Sequence, residues 1–186
     1  DRCIITEFVD GGSVYDLIRS SREISQKQIH QILRGTALGM SYLHGFDTPI
    51  LHRDLKSHNI LIDACSGNVK VADFGLSRPV ASTMTATGTP QWSAPEVTRH
   101  EKYSTKADVF SFGIVIFEVL TRQQPYMSMT SFAAACAVAY DGIRPEFSPE
   151  IISCYPNYVQ LAKRCWKEDP AERPSFLDIV EELGEM

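Results

Sequence analysis

The chain has no surplus of basic residues: 18 Lys and Arg stand against 23 Asp and Glu, for a formal net charge of -5. Nucleic-acid binding concentrates Lys and Arg against phosphate, so no nucleic-acid partner is expected. Paired cysteines are missing too. Cys3, Cys65, Cys136, Cys154 and Cys165 are odd in number and far apart, without the spacing of a zinc site. They read as free thiols in a reducing compartment, and a cytoplasmic location is expected. No apolar run is long enough to span a bilayer. The most hydrophobic stretch follows Asp108, runs from Val109 to Leu120 and is interrupted by Glu118. A helix buried on most sides accounts for it, and no membrane partner is expected. No leader-like segment precedes Asp1, which decides nothing for a chain that reads as an excised piece. Internal repeats are absent. The composition, 44% hydrophobic and 22% charged, excludes a disordered or fibrous chain and suits one globular domain.

Helix and turn signals alternate along the chain. Cys3 to Val9 reads as a short apolar strand that ends at Asp10-Gly11-Gly12. Ser13 is positioned to cap a short helix, Val14 to Arg19, and Ser25 to cap a longer one. In the longer helix Ile29, Ile32, Leu33, Thr36, Ala37, Met40 and Leu43 recur at helical spacing, and Gly45 is a stop. Ile60 to Ile62 and Val69 to Val71 predict a small hairpin through Ser66-Gly67-Asn68. Further helices are expected near residues 105–121, 131–139, 157–166 and 175–183, with prolines in the gaps. Arg78 to Gly88, rich in Ser and Thr, reads as a mobile surface segment.

Three motifs stand out in order. The first is His52-Arg53-Asp54-Leu55-Lys56-Ser57-His58-Asn59, in a polar loop flanked by apolar elements. The second is Asp73-Phe74-Gly75 and the third Ala94-Pro95-Glu96. Their order and spacing resemble those of the protein-kinase superfamily. The resemblance covers essentially the whole chain. It extends to Asp73-Phe-Gly-Leu-Ser-Arg78, Gly88-Thr-Pro-Gln-Trp-Ser-Ala-Pro-Glu96, Asp108-Val-Phe-Ser-Phe-Gly113, and Trp166 through Arg173-Pro174. The details resemble the tyrosine-kinase-like Ser/Thr branch, which includes the Raf and mixed-lineage kinases.

The resemblance implies a mainly α fold: the C-terminal lobe of a kinase, a helical bundle with a short β-hairpin and no N-terminal lobe. Residues 1–10 would be hinge strand and linker. Residues 11–186 would form the lobe, with the catalytic loop at 50–59 and the activation segment at 73–96. The implied activity is transfer of the ATP γ-phosphoryl group to Ser or Thr hydroxyls of a protein substrate, with magnesium (or manganese) as the cation. Asp54 would orient the acceptor hydroxyl and take its proton, while Lys56 offsets charge on the phosphoryl group. Asn59 and Asp73 would supply the hard oxygen ligands that magnesium favours. Thr6 would be the gatekeeper, and the backbone of Glu7 and Val9 would face adenine. Asp16 would approach the ribose and Leu61 the adenine floor. His52 and Phe74 match a stacked hydrophobic spine, and Asp108 the residue that holds the catalytic-loop backbone. Glu96 and Arg173 match a buried ion pair.

Acceptor choice rests on Lys56 and Thr89; a Thr at that position in Ser/Thr kinases touches the catalytic Asp and Lys. Trp92 and the helical tail also occur in tyrosine kinases, so dual specificity stays open. Ser82, Thr83, Thr85 and Thr87 are candidate phosphorylation sites, with Arg53 placed to pair with an added phosphate. No glycine-rich phosphate loop, strand Lys or partnering helix Glu precedes the hinge. The segment alone is therefore expected to be inactive, with apolar surface exposed on the hinge, Phe74 and part of the long helix. An N-lobe in cis, or self-association through that face, would cover it. A silent protein-binding module or pseudokinase is the alternative.

Overall fold

Serines open the first two helices. The structure, a computed structural model, describes residues 5–79 and 88–186. Ser13 caps α1 (Val14–Arg19) and Ser25 caps α2 (Gln26–His44), each through a reciprocal box with the residue three places on, Asp16 and Gln28. Helix α2 buries the seven residues that recur at helical spacing, Ile29 to Leu43, and ends at Gly45.

Four short strands follow. β1 (Ile50–Leu51) pairs antiparallel with β4 (Arg78–Pro79), Leu51 opposite Arg78. β2 (Ile60–Ile62) pairs with β3 (Val69–Val71), Ile60 opposite Val71. The β2–β3 hairpin sits on α2 where that helix carries glycine. A Cβ on Gly35 would lie 2.7 Å from the Val69 Cβ, and one on Gly39 would lie 2.9 Å from Val71 Cγ2.

The remaining helices are α3 (Pro95–Thr98), α4 (Lys106–Thr121), α5 (Ser131–Tyr140), α6 (Pro149–Cys154), α7 (Pro156–Cys165) and α8 (Phe176–Glu185). The α4 helix is the axis of the molecule, buried from Ala107 to Leu120. α7 crosses it at Gly113, where an added Cβ would meet Cys165 Cβ at 3.0 Å and the Ala162 carbonyl oxygen at 3.1 Å. The fold is thus a mainly helical lobe with two small two-stranded sheets, and among the described residues no larger sheet. No helix among them is long and apolar enough to cross a membrane.

Three expectations change. Residues 5–9 form no strand, because no other strand of the described chain lies alongside to share its hydrogen bonds. Ile5 and Phe8 there are almost fully exposed, at 91% and 88%, and Phe74 is half exposed. The long helix α4 contributes nothing to that apolar face. Two short helices, α3 and α6, also form, each opening on a proline whose fixed φ suits a first turn.

Candidate active site

Asp108 in the first turn of α4 organises the loop that carries the first motif. Its carboxylate accepts the backbone N–H groups of His52 and Arg53, both at 2.9 Å, and lies 2.9 Å from His44 Nε2. Two donors on successive residues hold the chain where Arg53 takes a left-handed φ of 68°. His52 is fully buried. Its Nδ1 accepts from the Asp54 N–H at 3.3 Å, so Nε2 carries the proton and donates to the Ala72 carbonyl at 2.9 Å. The ring packs 5.6 Å from that of Phe74. The Arg53 guanidinium reaches the Leu76 carbonyl and, at 3.4 Å, the Tyr103 hydroxyl.

Asp54 is the focus of the loop. One carboxylate oxygen accepts from Lys56 Nζ at 2.8 Å and Asn59 Nδ2 at 3.1 Å. The other accepts from the Thr89 N–H at 2.9 Å and the Thr89 hydroxyl at 2.7 Å. Lys56 also donates to Thr89 Oγ1 at 2.6 Å. Partial burial pulls the Asp54 carboxyl upward, but Lys56 and Thr89 together outweigh it and leave it below the usual carboxylate range. Asp54 is thus an ionised acceptor at neutral pH. Gly88 permits the contact with Thr89: its φ is 110°, and a Cβ would fall 2.4 Å from the Arg53 carbonyl oxygen.

The β2–β3 register brings the second motif beside the first. The Ala72 N–H donates to the Asn59 carbonyl at 2.8 Å, so Asp73, with a left-handed φ of 62°, emerges next to Asn59. Asn59 also donates through Nδ2 to the Asp54 carbonyl at 2.8 Å, which leaves its amide oxygen as the atom a cation would use. No cluster of three His, Cys, Asp or Glu that could hold a metal occurs among the described residues. An Asn and an Asp nevertheless fit magnesium, which keeps several waters and takes further oxygens from substrate phosphates.

The segment before α1 is tied to the same hairpin. The Gly12 carbonyl accepts the Ile62 N–H at 2.9 Å, and Ser13 bridges to Leu61. A Cβ on Gly11 would lie 2.1 Å from the Ile62 carbonyl oxygen, so only glycine allows this approach. Leu61 is therefore brought near residues 11–13. Thr6 and Glu7 are exposed, and Glu7 pairs with Lys70 at 2.7 Å. The Asp16 carboxylate accepts from the Ser13 N–H and hydroxyl at 3.0 and 2.6 Å. Ser82, Thr83, Thr85 and Thr87 lie outside the described residues.

Glu96 and Arg173 meet in a buried bidentate pair, at 2.7 and 2.9 Å. Arg173 donates further to the carbonyls of Lys106, Lys167 and Glu168, and its guanidinium lies 5.2 Å from the Phe110 ring centroid. Glu118 belongs to none of the sequence motifs, yet its carboxylate is 1% exposed beneath the loop and bonded to Ser57 and Trp92. The signal was present: one acid inside an apolar helix needs buried partners. His58, within the first motif but without an expected role there, stacks on Tyr15 with ring centroids 3.7 Å apart.

Residues 1–183 match the protein tyrosine and serine/threonine kinase family. The chain belongs to that family. It is 44% identical over 98% of its length to the probable serine/threonine-protein kinase drkB of Dictyostelium discoideum, and covers 27% of that protein. It is 44% identical over 99% to the serine/threonine-protein kinase STY46 of Arabidopsis thaliana, covering 32% of it. A relative at 37%, the Dictyostelium dual specificity protein kinase pyk3, is covered over 14%. The chain thus spans about a third or less of these kinases.

Proposed function

We propose that this chain is the C-terminal lobe of an ATP- and magnesium-dependent protein Ser/Thr kinase of the tyrosine-kinase-like branch, to which Raf and the mixed-lineage kinases belong. The observation that carries the reading is the Asp54 carboxylate, held from three sides by Lys56, Asn59 and Thr89. Bound ATP supplies the phosphoryl group, and magnesium offsets its charge. Asp54 accepts a hydrogen bond from the acceptor hydroxyl and takes its proton as that oxygen bonds to phosphorus and the bond to ADP breaks. Lys56 holds positive charge beside the moving group. Asn59 and Asp73 hold the cation. The backbone of Glu7 and Val9 faces adenine, with Thr6 as gatekeeper and Leu61 as floor. Asp16 reaches the ribose only in competition with its own capping bonds to Ser13. The Lys56–Thr89–Asp54 contacts support Ser/Thr acceptors.

Cover for the ATP phosphates comes from a second lobe in cis, which also buries Ile5, Phe8 and Phe74; alone, the chain covers that face with a second copy. The described cysteines, all free, suit a reducing cytoplasm. Ser82, Thr83, Thr85 and Thr87 are candidate phosphorylation sites, and a phosphate added there would pair with Arg53. The test is label transfer from ATP to Ser/Thr and Tyr peptides by the full-length protein, its Asp54→Asn variant and this chain alone. Label on Ser/Thr from the full-length protein only is expected. Equal label on Tyr would establish dual specificity, and no label above Asp54→Asn would leave a silent binding module.

A further inference from the structure

We propose that Glu118 is a positioning residue, which fastens the underside of the catalytic loop to the segment after Gly88 and so keeps Asp54 and Thr89 in register. The proposal rests on the kinase reading above. Glu118 lies near the end of α4, the one carboxylate in the apolar run after Asp108. Its Oε1 accepts the Ser57 hydroxyl at 2.6 Å; its Oε2 accepts Trp92 Nε1–H at 2.7 Å and the Ser57 N–H at 3.3 Å. Ser57 and Trp92 are themselves buried.

The two chains meet twice, at matching intervals. On the cleft side, Asp54 and Lys56 bond Thr89. Below, Ser57, three residues after Asp54, and Trp92, three after Thr89, share one carboxylate. Ser111, also on α4, donates to the Trp92 carbonyl at 2.8 Å and steadies the same segment. A side chain needed only to fill space would be apolar here, because a buried carboxylate costs free energy unless donors surround it. Among the described residues no cation forms an ion pair with Glu118, so its partners are these three donors. Removing the acceptor orphans them in the interior, and the loop and segment lose their common support.

The experiment uses the full-length protein with Glu118→Leu and Glu118→Gln. Gln keeps the tie: its amide oxygen accepts the Trp92 and Ser57 N–H groups, and its NH2 donates to a rotated Ser57 hydroxyl. Leu keeps the volume and loses the tie. Amide exchange at residues 54–59 and 89–93 is expected to quicken in Glu118→Leu, on the order of tenfold, with residues 109–117 unchanged. Its kcat should fall on the order of tenfold to a hundredfold with KM for ATP nearly unchanged, while Glu118→Gln stays near wild type. Wild-type exchange in both segments of a folded Glu118→Leu protein, or an equal kcat loss in both variants, would overturn the proposal. Should Glu118→Leu not fold, Ser57→Ala and Trp92→Phe each remove one donor and carry the same exchange test. If the wild type transfers no more label than Asp54→Asn, the kinase reading fails, and the exchange result alone then supports or overturns the tie.

Discussion

Two buried glutamates face opposite problems at the residue scale. Glu96 has the Arg173 guanidinium, whose remaining donors go to three carbonyls. Arg173→Leu strands a carboxylate in the interior and should cost about 3–5 kcal/mol, read as a lower urea midpoint at constant slope. Glu118 has only neutral donors. Burial pushes its carboxyl up to about 7 from 4.5, although Ser57 and Trp92 pull it down. A folded-state value above the unfolded one means that its contribution is complete below pH 4.5 and is lost as pH rises through 7. Between those limits the wild type should lose roughly 3 kcal/mol of stability relative to Glu118→Gln, since every tenfold difference in proton affinity between the folded and unfolded states is worth about 1.4 kcal/mol. Urea unfolding of both proteins across pH 4.5–8 measures the difference and removes the titrations they share; a flat difference curve would show that Glu118 stays ionised in the fold.

Elements this short cannot hold themselves, so the helices hold them. Strands of two or three residues gain little from their own ladders. The β2–β3 hairpin depends instead on its seat against α2 at Gly35 and Gly39. Alanine at an exposed helix position is normally better than glycine by about 1 kcal/mol. At Gly35 the added Cβ meets the Val69 Cβ at 2.7 Å, a branched carbon with little room to swing away. Gly35→Ala should therefore destabilise, by about 1–3 kcal/mol net of propensity, and loosen the hairpin that presents Asn59 and Asp73. Thermal melting together with amide exchange of residues 60–71 checks both parts; a raised melting temperature would mean that the hairpin rides up without cost.

At the scale of the whole molecule, large apolar side chains stand exposed at several places among the described residues. In the first segment and the second motif, Ile5 and Phe8 are almost fully exposed and Phe74 half exposed, apolar surface that a second copy could cover. Sedimentation of the chain alone should show association that rises with concentration, and the double variant Ile5→Lys, Phe8→Lys should stay monomeric. A chain monomeric at every concentration tested would place the exposed face below the threshold for self-association.

The kinase motifs and their order, the two serine caps, the buried stripe of α2, the β2–β3 hairpin and the burial of α4 were all legible along the chain. Each is written in residues close together along the chain, where a cap, a turn or a helical period acts locally. Tertiary structure alone decided the rest. The β1–β4 pairing joins two dipeptides too short to carry a pattern. Residues 5–9 are apolar enough for a strand but have no neighbouring strand to pair with among the described residues. The sequence singled out Asp108 as an anchor only by its resemblance to a family, and its partners His44, His52 and Arg53 are set by packing. Glu118 looked like an interruption in an apolar run until the fold placed Ser57, 61 residues away, and Trp92, 26 away, against one carboxylate. Polar partners at such separations leave no periodic trace, because they are chosen by which elements pack together rather than by the spacing of residues along any one of them.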